Sequence, residues 1–284
     1  AIGPKGNFFP LPEENDFQDA IAEHEGAEKA IVVNSCGTAL DCCMMALDIK
    51  PGDEVITTPL TFVCTAGTAV AQGARIVFAD IDPVTMNLSP EAVRARITEK
   101  TKAIIPVHFT GLVCDLDGFD KITEETGIPV IYDAAHAFGV TIKGNSILNW
   151  GDLSIMSFHA TKVFNTIEGG AIVCHDEKMK QRIDYLKNFG FTDEVTVVAP
   201  GINAKMNEMQ AALGLLQLKH IDKAIDRRRE IDALYREQFL NVTGISCPSL
   251  PADTVYNYAY FPILIEKEYP LTRDELNDKL HQNG

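Results

Sequence analysis

The chain has 284 residues, 46% of them hydrophobic and 23% charged, enough to bury one large core and to begin a second domain. Its 40 acidic residues outnumber 25 basic ones for a net charge of -15, which excludes the basic stripe that neutralises a phosphate backbone, so no nucleic-acid partner is expected. No stretch approaches the roughly 20 apolar residues of a membrane span, and residues 1–12 lack the basic start and apolar run of a secretory signal; the expectation is a cytoplasmic protein with no membrane partner.

In chain order, short apolar or β-branched runs at 30–33, 54–57, 75–78, 103–107, 129–132, 154–158 and 171–174 read as strands. They alternate with helical patterns at 39–47 and 89–97, the signature of a mostly parallel α/β sheet. In such sheets ligands gather at strand ends and helix N-termini. Residues 206–239 carry apolar positions at Met209, Leu213, Leu216, Ile221, Ile225 and Ile231 and read as one long helix leaving the large domain. Pro248 and Pro251 then mark a break, 255–265 reads as a strand, and 271–281 reads as a helix capped by Thr272 with an acidic first turn. The domain reading is 15–200 for a large domain, 201–240 for the connecting helix, and 241–284 for the start of a smaller, incomplete C-terminal α/β domain.

The run Ser157-Phe158-His159-Ala160-Thr161-Lys162 precedes Glu168-Gly169-Gly170, and Asp133-Ala134-Ala135-His136 follows an apolar strand upstream. Pyridoxal 5'-phosphate (PLP) needs an amine to condense with its aldehyde and a carboxylate to keep its ring nitrogen protonated. Lys162 and Asp133 fit these two roles. A carboxylate at the end of a buried strand is costly unless it faces a cation. The turn Asn34-Ser35-Cys36-Gly37-Thr38 opens a helix, where free N–H groups and the helix dipole favour an anion, making Gly37 and Thr38 the candidate phosphate binders; the same turn is also an ordinary helix cap. Phe62, just past the strand at 54–57, either stacks on a planar cofactor or fills the core.

The other polar features read as structural. The seven cysteines contain no Cys-x-x-Cys pair and are expected to be free thiols. His108, His159, His175 and His220 lack metal-ligand spacing, and no metal is expected. The acidic cluster 115–120 and the run Arg227 to Arg229 read as solvated helix faces.

Pro51-Gly52-Asp53-Glu54-Val55-Ile56-Thr57-Thr58-Pro59, Thr61-Phe62-Val63, Phe78-Ala79-Asp80-Ile81-Asp82-Pro83, Lys102-Ala103-Ile104-Ile105-Pro106-Val107-His108, Asp133-Ala134-Ala135-His136, Ser157 to Lys162 and Gly201-Ile202-Asn203 occur in that order. Together they resemble the DegT/StrS family of PLP-dependent nucleotide-sugar aminotransferases, over residues 20–284. The resemblance implies a fold type I architecture with a seven-stranded sheet in the large domain. It further implies that Lys162 binds the cofactor covalently, Asp133 partners the pyridine nitrogen and His136 lies near the ring hydroxyl. Ser157, Gly37 and Thr38 would hold the phosphate and Phe62 would stack on the ring. Asn203 would reach the phosphate of a neighbouring subunit, so a homodimer with shared active sites is implied, with L-glutamate and a nucleotide-linked keto-sugar as substrates. The pathway expected is surface-polysaccharide or natural-product sugar biosynthesis. Lys205 stands where the family commonly has arginine, which leaves that position without an assigned role. Three other readings stay open: a sugar dehydratase of the same family, against which Lys162 argues because those enzymes carry histidine there; an aminotransferase for a cyclic non-sugar ketone; and a non-catalytic homologue.

Overall fold

A computed structural model describes residues 12–283 of the chain. Helix α1 (Pro12–Glu25) leads into β1 (Lys29–Val33), α2 (Cys36–Ala46), β2 (Glu54–Thr57), α3 (Val63–Ala71), β3 (Arg75–Phe78), α4 (Pro90–Arg94), β4 (Thr101–Ile105), α5 (Leu116–Thr126), β5 (Ile131–Asp133), β6 (Leu153–Ser157), β7 (Gly170–Cys174) and α6 (Glu177–Leu186). The strands form a four-stranded sheet in the order β1-β7-β6-β5 and a three-stranded sheet in the order β3-β2-β4. Isolated parallel bridges at Ile104–Val130 and Val107–Asp133 join β4 to β5. The sheet is mixed: β5–β6, β2–β3 and β2–β4 are parallel, whereas β7 runs antiparallel to both β6 and β1. The β6–β7 exception follows from the connection, which folds back on itself as a hairpin-like loop with no helix in it, Phe158 and Ala160 donating to Gly169 O and Ile167 O.

Strands β2, β5, β6 and β7 are buried along their whole length, as expected when helices cover both faces. Alternate residues serve opposite layers. Val32, Ile56, Ile104, Tyr132, Met156 and Val173 pack with α1 and α5 residues such as Phe17, Ile21 and Phe119. Their neighbours Ile31, Val55, Ile105, Ile155 and Ile172 pack with Leu40, Cys43 and Met44 of α2 and Ile183 of α6. Ser35, Ser89, Asp115 and Asp176 each cap the helix that follows by accepting a backbone N–H in its first turn, each contributing about 1 kcal/mol.

The long helix expected over 206–239 is two helices, α7 (Glu208–Leu218) and α8 (Ile221–Phe239), separated at Lys219 and His220. Both bury residues in the same core: α7 through Ala211 and through Gly214, which lies against Phe17 of α1, and α8 through Ile221. The strand expected over 255–265 is also absent as such. Only Thr254–Val255 and Leu264–Ile265 pair, and the residues between them turn back onto the large domain, with Tyr258 at a φ of 54°. The helix at the C-terminal end is α9 (Arg273–Gln282), with Thr272 and Glu275 in a reciprocal capping box. Among the described residues no helix is long and apolar enough to cross a membrane.

Candidate active site

Asp133 ends β5 and is 3% exposed. The strand end is pinned on both sides, as the Asp133 amide donates to Pro106 O at 2.9 Å and its carbonyl accepts from the His108 amide at 3.0 Å. Oδ2 accepts from Thr65 Oγ1 at 2.8 Å and Oδ1 accepts from the Ala135 amide at 3.1 Å. Burial pushes this carboxyl above the ordinary carboxylate range, and the two hydrogen bonds and the charge of Lys162 oppose that push.

Lys162 sits on the loop between β6 and β7, half-buried. The loop is held as a hairpin by Phe158 N–H to Gly169 O (2.9 Å) and Ala160 N–H to Ile167 O (2.7 Å), and the Lys162 amide donates to His159 O (2.9 Å). Phe158 and Phe164, on either side of the lysine in sequence, are fully buried, and Phe164 stacks on Phe138 with centroids 4.4 Å apart. These anchors hold the lysine on a rigid base. Two glycines are needed here: Gly169 has a φ of 155°, and a Cβ on Gly170 would lie 2.9 Å from the Cys36 amide nitrogen.

That same approach assembles the candidate anion cup. Ser157 pairs with Gly170 across β6 and β7, and Gly170 lies against the Ser35–Cys36 backbone at the start of α2, so Ser157 and the Gly37–Thr38 turn meet at one place. The turn is a helix cap, with Ser35 Oγ accepting from the Thr38 amide at 3.2 Å, and the amides of the first turn have no intrahelical acceptor. Thr38 Oγ1 donates to Asn34 Oδ1 at 2.7 Å.

His136 Nδ1 accepts from the Thr110 amide at 3.2 Å, and burial lowers the ring to about 4, so the neutral ring carries its proton on Nε2. Thr110 holds that pose in left-handed backbone (φ 56°), with its carbonyl tied to Tyr256 OH at 2.5 Å. Phe62, N-terminal to α3, is 71% exposed, which removes the reading that it fills the core. Asn203 is exposed beside the end of β1: its carbonyl accepts from Asn34 Nδ2 at 2.9 Å and its Oδ1 from Lys205 Nζ at 2.9 Å. Lys205 also lies 4.4 Å over the Phe189 ring. His108 is a core residue, stacked on Tyr132 and accepting from the Cys114 amide. All seven cysteines are free thiols. Among the described residues no three His, Cys, Asp or Glu side chains gather where they could hold a metal ion.

Sequence reasoning missed several neighbours. Thr65 and Thr61 stand behind Asp133, and Asn257 and Tyr260 line a small cavity with Lys162 and His136. Asn257 Nδ2 donates to both His136 O and Phe138 O at 2.9 Å. The threonines left no clear signal, since Thr61 precedes the N-cap of α3 and Thr65 meets Asp133 only across 68 residues of chain. Asn257 and Tyr260 left none, because only tertiary structure folds their segment back across the large domain.

A buried carboxylate at the end of β5, a half-buried lysine on a pinned loop, a neutral histidine and an exposed aromatic make up the candidate site, and these are the groups that PLP chemistry calls on. Residues 4–284 match the DegT/DnrJ/EryC1/StrS aminotransferase family, and the chain belongs to that family. The chain is 46% identical over 265 residues to a dTDP-4-amino-4,6-dideoxy-D-glucose transaminase of Shigella dysenteriae, covering 93% of this chain and 72% of that protein. It superposes on the crystal structure of DesI in the presence of its TDP-sugar product with a TM-score of 0.90 at 34% identity, over 96% of this chain and 69% of that one. A 3-amino-5-hydroxybenzoic acid synthase superposes with a TM-score of 0.88 at 31% identity, over 96% and 73%.

Proposed function

We propose that the chain transfers an amino group to a keto-sugar carried on a nucleotide, using PLP held by Lys162, with L-glutamate as the donor. The observation that carries the cofactor assignment is the Asp133 carboxyl, buried at the strand end with no protein cation bonded to it among the described residues and pushed up by that burial. A protonated ring nitrogen is the kind of partner that restores its ionised form. PLP, when bound, stores the donor's amino group and stabilises the carbanion through which the amine is made and passed on.

The residues divide the work. Lys162 Nζ would hold the cofactor and serve as the group that takes up and returns a proton. Asp133 would keep the ring nitrogen charged, and His136 would lie near the ring hydroxyl. Gly37, Thr38 and Ser157 would hold the phosphate, and Phe62 would stack on the ring. Asn203 reaches the phosphate site of a partner subunit in a homodimer. The fold is read as type I, with the seven strands as one sheet, and the domain division as 15–200, 201–240 and 241–284. A cytoplasmic role in polysaccharide or natural-product sugar synthesis follows from that substrate class. The names of the sugar-nucleotide relatives, at up to 46% identity, favour a nucleotide-linked sugar over a cyclic non-sugar ketone. The test is a panel of nucleotide-linked 3-keto and 4-keto sugars and a cyclic non-sugar ketone, assayed with L-glutamate. Turnover of a keto-sugar is expected; turnover of the cyclic ketone alone overturns the substrate assignment.

A further inference from the structure

Thr65 lies in the first turn of α3 and is fully buried. Its Oγ1 is 2.8 Å from Asp133 Oδ2 and 2.8 Å from Thr61 Oγ1. A hydroxyl has one proton to give. With Asp133 ionised, its oxygens only accept, so Thr65 must donate to Asp133 and must therefore accept from Thr61. The order of the chain, Thr61 to Thr65 to Asp133, is set by the charge at its end, and each bond polarises the next. Were Asp133 protonated, the acid could donate to Thr65 and the chain could reverse.

From this geometry we infer that Thr65, backed by Thr61, is the positioning residue that fixes the Asp133 carboxylate in one rotamer and holds it ionised for a cationic ring nitrogen. The inference rests on the PLP reading above. Burial opposes the charge at Asp133, and the hydrogen bond from Thr65 is the largest of the influences that favour it, ahead of the Ala135 amide and Lys162. The other titratable groups that feel Asp133 are the thiols of Cys36, Cys64 and Cys114; each would be a thiolate only by taking on a second negative charge beside it, so none supplies the missing stabilisation. The Ala135 amide is part of the backbone and cannot vary. Thr65 is thus the one side chain bonded to this carboxylate among the described residues.

The test uses the full chain, with and without PLP. In the cofactor-free protein, the infrared band of the protonated Asp133 carboxyl, identified by its loss in Asp133→Asn, is followed against pH. Thr65→Val keeps the shape and removes the donor. Since a hydrogen bond to a charged group carries a free energy equivalent to roughly ten- to hundred-fold in proton affinity, Asp133 should hold its proton that much more tightly in Thr65→Val. PLP affinity, read by fluorescence quenching, should fall by about the same factor. Thr65→Ser should restore both, and Thr61→Val should move both in the same direction by less. If Thr65→Val does not fold, Thr61→Val and Thr65→Ser carry the test: a same-direction shift in the first with none in the second supports the inference. An unchanged titration in a folded Thr65→Val, or in Thr61→Val where that variant must stand in for it, overturns it. The failure of the cofactor reading is separate: a wild-type chain that takes up no PLP overturns that reading, and the infrared titration of the cofactor-free chain still decides what Thr65 does to Asp133.

Discussion

Lys162 and Asp133 are an amine and a carboxylate carried on different elements, the β6–β7 loop and the end of β5, and the consequences of removing each differ. Lys162→Ala should abolish the visible absorption that depends on covalent attachment of PLP while leaving PLP bound through the anion cup, with turnover reduced by orders of magnitude. An absorption band that survives and can be trapped by borohydride on another lysine would show the assignment to be wrong. Asp133→Asn should lower turnover by orders of magnitude yet leave the urea midpoint nearly unchanged, because burial already disfavours the charge that the substitution deletes. Near-normal turnover would remove Asp133 from the role. The buried histidines set a pH dependence. Burial lowers His108 to about 3 and His136 to about 4, against an ordinary 6.5. The unfolded chain therefore binds more protons than the folded one as pH falls from about 6.5 toward 4, so the stability these rings contribute is present above 6.5 and lost progressively across that window. Thermal melts of the cofactor-free chain should drop over this range, and His136→Gln should flatten the slope; an equal slope in both proteins would refute the contribution of His136.

At the level of elements, α1 is the strap that joins β1, α6 and α7. Lys187, the residue after α6, buries its ammonium beside Glu14 Oε1 at 2.8 Å, with Gln18 Oε1 and Val32 O each at 3.3 Å. Both partners are nearly enclosed, so removing one leaves an uncompensated buried charge. Lys187→Met should cost about 3 kcal/mol, read as a shift in urea midpoint, and pairing it with Glu14→Leu should recover much of the loss. A single variant as stable as wild type would mean that the pair carries little. Across the same strap, a Cβ at Gly214 of α7 would overlap the ring of Phe17, which packs in turn on Phe158 and Phe164 at the roots of the Lys162 loop. Alanine favours a helix over glycine by about 1 kcal/mol, but overpacking a rigid aromatic cluster costs about 1–3 kcal/mol. Gly214→Ala should therefore be net destabilising, and it should loosen PLP retention as well, because the displaced rings anchor the lysine loop.

For the whole molecule, the question is whether one chain completes a site. Phe62 and Val63 stand 71% and 73% exposed at the rim, a costly display of apolar surface that a second copy could cover. If Asn203 acts across that boundary, mixing the inactive variants Lys162→Ala and Asn203→Asp and allowing subunits to exchange should return partial activity, since one site of the mixed dimer unites an intact Lys162 with an intact Asn203. Added PLP should also shift association toward the dimer by mass action. Mixed dimers with no activity would confine Asn203 to its contacts within one chain.

The strand positions, the Thr272 cap and the place of Asp133 at a strand end were legible in the sequence because each is a local matter: apolar runs bounded by turn residues, a hydroxyl three residues before a glutamate, a carboxylate at the end of a buried strand. The direction of β7 was less so, since an apolar run carries no arrow; it is the hairpin-like loop before it that makes it antiparallel to β6. The turning back of residues 256–260 depends on the distant surface that segment packs against. For the same reason the sequence alone could name Asp133 but not Thr65, which meets it across 68 residues of chain. Residue type and local period determined which groups the protein carries for its chemistry. Tertiary packing decided which buried partners hold those groups in the charge state the chemistry needs, because burial and hydrogen bonding at a carboxylate are properties of the assembled core.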